Sequence, residues 1–258
     1  MRREHTLPIW AEIDLSAIAH NCREVRRSIP QGSRFAAVVK ADGYGHGAVQ
    51  VARTALANGA DSLAVARLDE ALTLRRAGIS APILIFGLID PCDVDILLRE
   101  SLTCTVFDPQ QAKALSTQAS ERSARIPCHL KIDTGMGRLG LNAVPEPRSD
   151  APFHPQALEQ AEAIAGLSGL KLEGVYTHFA QADSADKSFS HLQLNRFFAL
   201  LEALQSKGIR FPIRHAANSG AVIDLPEAHL DLVRPGLMLY GLYPSPEVDH
   251  SRDRKSVV

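Results

Sequence analysis

A lysine at the end of a buried strand is the residue in this chain best suited to covalent chemistry. Lys40 follows five apolar residues, Phe35–Val39, a pattern typical of a strand buried on both faces. Partial burial disfavours the charged form of an amine, and the neutral amine is a nucleophile that condenses with aldehydes. An aldehyde cofactor such as pyridoxal phosphate (PLP) needs such an amine. The alternative is a surface lysine just beyond the strand.

Further polar side chains occupy the ends of the predicted strands or the loops beyond them. They are Arg138, His178, Asn218, Ser219 and Arg234. A phosphate is bound well by hydroxyls, backbone N–H groups and a helix N-terminus. Asn218–Gly220 and Gly236 can supply such groups and are therefore candidates for a phosphate site. Arg234 and His178 are candidates for contacts with a cofactor ring, and the planar guanidinium of Arg138 can hold a carboxylate.

Three of these side chains also have a simpler interpretation. His178 can be a barrel histidine with satisfied hydrogen bonds, Ser219 can cap the helix that follows it, and Arg138 can be a loop arginine in solvent. Because the carboxyl ends of parallel strands meet at one rim, the five polar groups are predicted to converge there. Their convergence favours the functional interpretation of the set.

Eight alternations of a short apolar segment with an amphipathic segment organise the chain. The predicted strands are Phe35–Val39, Ser62–Ala66, Pro82–Gly87, Thr103–Phe107, Cys128–Asp133, Gly174–His178, Arg214–Asn218 and Leu232–Gly236. Helices are predicted at Leu68–Ala77, Pro109–Ala119 and Phe189–Lys207. Eight such units in about 200 residues predict a parallel (β/α)₈ TIM-type barrel. An open doubly wound sheet is disfavoured because Gly43–Gly47 does not fit its phosphate fingerprint.

Two stretches fall outside this alternation. Asn142–Pro155 contains four prolines and is predicted to be a surface excursion after the fifth strand. Pro244–Val258 has many charges and no periodicity, which predicts a solvated tail. We place the barrel at residues 11–241 and a short tail at residues 242–258.

Composition and charge restrict the classes of function. The chain has 258 residues, of which 45% are hydrophobic and 22% charged, values ordinary for a soluble globular protein. A formal net charge of -1 gives no global attraction to nucleic acid or an acidic membrane, and no apolar run approaches the roughly 20 residues that span a bilayer. The four cysteines lie far apart, which favours reduced thiols in a cytoplasmic protein and disfavours a metal site.

The glycine-rich segment after Lys40 carries a specific family resemblance. The run Lys40-Ala41-Asp42-Gly43-Tyr44-Gly45-His46-Gly47 closely resembles the cofactor-lysine motif of alanine racemases, PLP-dependent enzymes that interconvert L- and D-alanine. The resemblance extends from Ala11–Leu15 to Arg234–Gly241. It implies that Lys40 holds PLP as a Schiff base and acts as one of two bases at the substrate Cα. It also implies a cytoplasmic enzyme that works as a homodimer and supplies D-alanine for the bacterial cell wall.

The resemblance also implies roles for the other polar residues. Tyr44, Ser219 and Gly236 would hold the cofactor phosphate. His178 would contact the cofactor ring, and Arg234 would face its nitrogen. Arg138 would bind near the carboxylate of a small amino-acid substrate. Lys131 matches a lysine that is carbamylated in some family members; the alternative is a buried-strand lysine paired with a carboxylate.

The family resemblance leaves open how much activity this chain has alone. Family members carry a second, mostly β domain after the barrel, and it supplies the second base, a tyrosine. We expect residues 242–258 to lie where that domain would begin and the chain alone to be weakly active or inactive, because a racemase needs proton donors on both faces of its substrate. A free-standing PLP-binding barrel with little turnover, a broad-specificity amino-acid racemase and a decarboxylase are the alternatives.

Overall fold

Strand β1, Arg34–Val38, is buried on both of its faces, as its apolar sequence requires. Phe35 and Ala37 belong to the large core that the helices cover, whereas Val38 packs in a separate cluster with Ala64 and Leu84. Alternate side chains of the strand therefore serve two different layers. The computed structural model describes residues 10–251, 255 and 256.

All of the strand pairings are parallel, and they close a barrel. The remaining strands are β2 Ser62–Val65, β3 Ile83–Ile85, β4 Cys104–Val106, β5 Ile126–Asp133, β6 Leu141–Asn142, β7 Leu170–Tyr176, β8 Ile213–His215 and β9 Leu232–Val233. They pair in the orders β3-β2-β1-β9 and β4-β5-β7-β8, with β6 beside β5. A bridge between Leu84 and Thr103 joins the two groups at one seam. At the other, the Arg234 N–H donates to the Ala217 carbonyl at 2.9 Å. The predicted (β/α)₈ barrel is confirmed.

Helices alternate with the strands along the chain, and the first of them precedes β1. They are α1 Leu15–Ser28, α2 Ala48–Ala57, α3 Leu68–Arg76, α4 Val94–Arg99, α5 Pro109–Glu121, α6 Pro155–Ala165, α7 Ser188–Ser206 and α8 Ser219–Asp224. The three helices predicted from the sequence agree with α3, α5 and α7 within two residues at each end. Within residues 10–251, no helix combines the length and apolar character that a membrane crossing requires.

Several strands end earlier than predicted, and this changes where the polar residues lie. β7 ends at Tyr176, β8 at His215 and β9 at Val233. His178 and Arg234 were predicted to lie on strands but lie in the loops just beyond them. At the ends of β7, β8 and β9 the backbone stops pairing with the neighbouring strand, and the polar residues that follow line the barrel mouth.

The two irregular stretches are more ordered than predicted. Asn142 pairs with β5 as the last residue of β6, so the surface excursion begins one residue later. In the predicted tail, Pro244–Val258, the side chain of Val248 is only 4% exposed, and Glu247 accepts a hydrogen bond from the Ala185 N–H. The prediction of a solvated tail is therefore wrong for these residues, because they pack on the barrel. Residues 252–254, 257 and 258 lie outside the described part.

Candidate active site at the barrel mouth

A cavity of about 420 Å³ opens beyond the carboxyl ends of the strands. All nine residues predicted from the sequence as site residues line it. They are Lys40, Tyr44, Lys131, Arg138, His178, Asn218, Ser219, Arg234 and Gly236. The apolar part of the wall includes Val38 and Phe86.

Lys40 leads into a left-handed turn, an uncommon conformation for residues other than glycine. The φ angles of Ala41, Asp42 and Tyr44 are 51°, 51° and 54°. Each costs about 1 kcal/mol relative to ordinary backbone, so strain is concentrated beside the candidate nucleophile. The N–H of Gly43 donates to the carbonyl of Val39 at 2.9 Å and closes the turn. The Lys40 side chain is half-buried, and its Nζ lies 5.9 Å from the centre of the Tyr44 ring.

Tyr44, Ser219 and Gly236 form a polar corner of the cavity. The N–H groups of Gly236 and Met238 donate to Ser219 Oγ at 2.9 and 3.3 Å, which occupies both lone pairs of that hydroxyl. The Ser219 O–H is therefore left to donate to another acceptor. A Cβ at position 236 would lie 2.6 Å from Tyr44 Oη, so only glycine allows the phenol to come this close.

Asn218, not Ser219, caps helix α8. The Asn218 Oδ1 accepts a hydrogen bond from the Ala221 N–H at 3.1 Å. The simpler interpretation of Ser219 as a helix cap is therefore wrong, and its neighbour performs that role. Both residues line the cavity.

Arg234 is a buried cation held by neutral acceptors. It is 4% exposed and donates to the carbonyls of Thr177 and Ala216 at 2.7 and 3.0 Å and to His215 Nδ1 at 2.7 Å. Its guanidinium carbon lies 5.1 Å from the centre of the Tyr176 ring. Burial lowers its pKa to about 10, so the group stays charged at pH 7.

The arginine starts a chain of hydrogen bonds through two buried imidazoles. Because a guanidinium only donates, His215 must accept at Nδ1 and carry its proton at Nε2. That Nε2 lies 2.8 Å from His129 Nδ1, which then accepts. Burial, followed by the charge on Arg234, lowers the pKa of His129 to about 3 and that of His215 well below its ordinary value. Both rings are neutral at pH 7.

The loop that carries Arg138 is folded around a carboxylate. Asp133 Oδ1 accepts from the N–H groups of Gly135, Met136 and Gly137 at 2.9, 2.8 and 3.2 Å. Its Oδ2 accepts from the Arg138 N–H at 3.0 Å. Four bonds to one ionised group fix the base of the loop. The Arg138 side chain is exposed at the rim of the cavity, so it both faces solvent and lines the site.

We expect two glycines of this loop to differ sharply in their tolerance of alanine. At Gly140 (φ +135°) a Cβ would lie 2.4 Å from the Asp133 nitrogen, whereas at Gly137 (φ +71°) no atom lies within 4 Å. Gly140→Ala should lower the free energy of unfolding by about 3 kcal/mol or more, and Gly137→Ala by only about 1 kcal/mol. Urea denaturation followed by circular dichroism measures both. Equal losses would contradict the close packing of Gly140 on Asp133.

Lys131 is a buried lysine without a carboxylate partner. It is 4% exposed, and among residues 10–251 no ion pair within 4 Å includes it. Burial and the charges of Arg138 and Arg234 lower its pKa to about 8. The alternative prediction, a buried lysine paired with a carboxylate, is therefore wrong within the described residues. A fraction of this amine is neutral near pH 7.

His178 presents an unbonded ring to the cavity. Its carbonyl accepts from Gln193 Nε2 at 3.2 Å, but in the described part of the chain its ring nitrogens take no hydrogen bond. Burial, with Arg234 as the second cause, lowers the pKa of the imidazole. The simpler interpretation of a satisfied barrel histidine is wrong. The neutral ring is free to contact a planar ligand.

Sequence reasoning missed several residues that build this site. Tyr176 lines the cavity and stacks on His215 with ring centres 4.7 Å apart. Its position two residues before His178 was a usable signal, because strand residues two apart share a face. Asp133 was also detectable, since an aspartate before several glycines favours turns closed by its side chain. The buried Gln193, which bonds the Ala180 N–H at 2.9 Å, gave no local signal.

The comparisons with known proteins agree on one family. The family model described as "Alanine racemase, N-terminal domain" matches residues 13–244. Alanine racemase of Desulforamulus reducens is 50% identical over 245 residues, which cover 95% of this chain and 64% of the relative. The protein of the same name from Desulfosudis oleivorans is 49% identical, with 94% and 62% covered. The chain thus spans less than two thirds of the length of these curated relatives.

Solved structures give the same result. The alanine racemase of Clostridium difficile 630 in complex with cycloserine superposes with a TM-score of 0.88 at 33% identity, covering 98% of this chain and 66% of that one. The Bacillus anthracis enzyme with bound L-Ala-P gives 0.86 at 35% identity, with 97% and 64% covered. The chain belongs to the alanine racemase family and corresponds to its N-terminal domain.

Proposed function

We propose that this chain binds PLP through Lys40 and that its protein interconverts L- and D-alanine. The observation that carries the proposal is the convergence of an amine, two hydroxyls, a bare glycine backbone and a buried guanidinium on one cavity. These groups match the aldehyde, the phosphate and the ring nitrogen of PLP in chemical type. The family membership supports the same cofactor.

The phosphate end fits the polar corner. The Ser219 hydroxyl has both lone pairs occupied and its O–H left to donate, and the Tyr44 phenol lies next to Gly236. Burial raises the pKa of Tyr44, which keeps its O–H protonated as a donor. Gly236 has no side chain, and this lets the Tyr44 phenol reach the corner. We assign these residues, with Asn218 beside them, to the phosphate.

Arg234 and His178 would hold the cofactor ring, since both line the cavity. A guanidinium offers only N–H donors, so a ring nitrogen facing Arg234 would accept a hydrogen bond and stay unprotonated. The neutral imidazole of His178 offers a flat contact without a second charge. The Arg234 side chain needs no carboxylate to stay in place, because carbonyls and His215 hold it.

Proton transfer at the substrate is assigned to Lys40. PLP bound to an amino acid withdraws electrons from its Cα and acidifies the hydrogen there. The Lys40 amine accepts or returns that proton on one face of the substrate. Arg138, at the rim, binds the substrate carboxylate through its planar fork. The neutral fraction of Lys131 would add carbon dioxide at Nζ and release one proton to solvent, and the resulting carbamate anion would position Arg138.

We also propose the wider setting that the family implies. The substrate is a small amino acid, the protein is cytoplasmic, and the full-length form is a homodimer that supplies D-alanine for the cell wall. Membership of the alanine racemase family supports each of these assignments. The expectation that the protein binds neither nucleic acid nor membranes stays a prediction.

Hydrogen exchange and racemisation of alanine test the proposed function. The chain is incubated with PLP and either L-alanine or D-alanine in D₂O; deuterium at Cα is followed by NMR and the opposite enantiomer by chiral chromatography. We expect Lys40-dependent deuteration of the enantiomer whose Cα hydrogen faces Lys40, with the opposite enantiomer formed more slowly because Lys40 serves one face. Deuteration without any of the opposite enantiomer would favour a PLP-binding domain with little turnover. No deuteration of either enantiomer in a chain loaded with PLP would contradict the proposal, as would equal rates with alanine and larger amino acids.

A further inference from the structure

One carboxylate joins the segments that follow β1 and β2. Glu70, in the first turn of α3, is half-buried. Its Oε1 accepts a hydrogen bond from the Ala41 N–H at 2.6 Å. Its Oε2 accepts from the N–H groups of Ala66 and Arg67 at 2.7 and 3.0 Å. A single side chain therefore holds three backbone groups from two loops.

The bond to Ala41 is placed where it controls Lys40. Ala41 is the residue directly after the lysine and the first residue of the left-handed turn. The bonds within the turn begin only at the Gly43 N–H, so they leave the Ala41 N–H for an outside acceptor. A carboxylate is a stronger acceptor than water or a neutral group.

The turn has a second anchor. Asp42 Oδ1 accepts from the Ala48 N–H at 2.8 Å, which ties the turn to the start of α2. Glu70 holds the residue before Asp42, next to Lys40. Because the left-handed conformation of Ala41 is strained, the peptide after Lys40 relaxes when its anchor is removed.

We infer that Glu70 is a positioning residue that sets the direction of the Lys40 side chain by fixing the Ala41 N–H. The inference rests on the proposed function, in which Lys40 carries PLP. Glu70 does not line the cavity, and it acts through the backbone. A purely structural alternative exists, because Oε2 also completes a capping box at the start of α3.

The test compares variants of Glu70 with a matched loss of a helix cap elsewhere. Glu70→Gln keeps one oxygen, which can serve Ala41 or the Ala66 and Arg67 pair but not both, and Glu70→Ala removes both acceptors. Asp108→Ala is the control: Asp108 caps α5 through the Gln111 N–H at 2.8 Å and does not line the cavity. Asp69→Asn, one residue before Glu70 and exposed, controls for local charge.

Two readouts follow the variants. The first is hydrogen exchange of the Ala41 amide in the cofactor-free protein, which we expect to rise about 10-fold in Glu70→Gln and further in Glu70→Ala. The second is the rate at which PLP forms its covalent bond, followed by absorbance, which we expect to fall by about 10-fold. Neither control should change the exchange rate of the Ala41 amide or the rate of covalent PLP binding.

The outcomes separate the inference from the function on which it rests. If the wild-type chain takes up no PLP, the proposed function fails, and the exchange data still decide whether Glu70 anchors Ala41. If the wild type takes up PLP and both Glu70 variants match it, the inference is overturned. It is also overturned if Ala41 exchanges faster without slower uptake, or if Asp108→Ala slows uptake as much as Glu70→Ala.

Discussion

We expect the Lys40→Ala variant to lose covalent PLP binding by about 100-fold or more relative to the wild-type chain. The reason is that Lys40 brings an amine to the cavity beside the polar corner that suits the phosphate. The absorbance of the bound cofactor after gel filtration measures the loss. Lys40→Arg should behave like Lys40→Ala, because a guanidinium keeps the charge but does not condense with the aldehyde.

A second amine in the cavity provides the matched control. Lys131→Met should retain covalent binding, because Lys131 lies beside Tyr176, its Nζ 5.6 Å from the ring centre, and is assigned to the substrate side. Loss of the absorbance in Lys131→Met with retention in Lys40→Ala would reverse the assignment of the two lysines.

Acidification should destabilise the fold through the hydrogen-bonded pair of buried histidines, His129 and His215. His129 and His215 have pKa values far below the ordinary value of 6.5 in the folded state. In the unfolded chain both bind protons as the pH falls below 6.5, whereas in the folded chain they stay neutral. The free energy of unfolding should therefore fall from pH 7 to pH 5 by about 2 kcal/mol for each histidine. The loss continues toward pH 3, where His129 itself begins to bind a proton.

Variants separate this effect from the titration of other groups. Urea denaturation at several pH values should give His129→Gln a drop between pH 7 and pH 5 that is smaller by about 2 kcal/mol. His191→Gln is the control, because His191 is an exposed residue paired with Glu227 at 2.8 Å. NMR titration gives a second measurement that does not depend on the variant folding. Imidazole signals of His129 that titrate near pH 6.5 would contradict its burial in neutral form.

The sequence alone located a residue correctly where its position in the fold follows from a local pattern. The apolar run before Lys40 predicts a strand buried on both faces, and the barrel topology then brings Arg138, Ser219 and Arg234 to the same mouth. Errors arose at strand ends. Asn218 was predicted to end a strand, but it caps a helix, since an asparagine side chain satisfies the free N–H groups there.

Contacts between distant parts of the chain were beyond sequence reasoning. His129 and His215 are 86 positions apart, and only the folded barrel brings His129 Nδ1 to 2.8 Å from His215 Nε2. The bond from Ala41 to Glu70 spans 29 positions and depends on the left-handed turn, which no residue pattern predicted. Supporting residues of this kind act through geometry that is absent until the sheet closes.

Mapping the site of PLP attachment tests the central claim most directly. The chain is incubated with PLP, the covalent bond is fixed by borohydride reduction, and the modified peptide is identified by mass spectrometry. The account predicts one modified residue per chain, Lys40, at PLP concentrations near that of the protein. Modification at Lys131, or spread over exposed lysines such as Lys113 and Lys207, would contradict it.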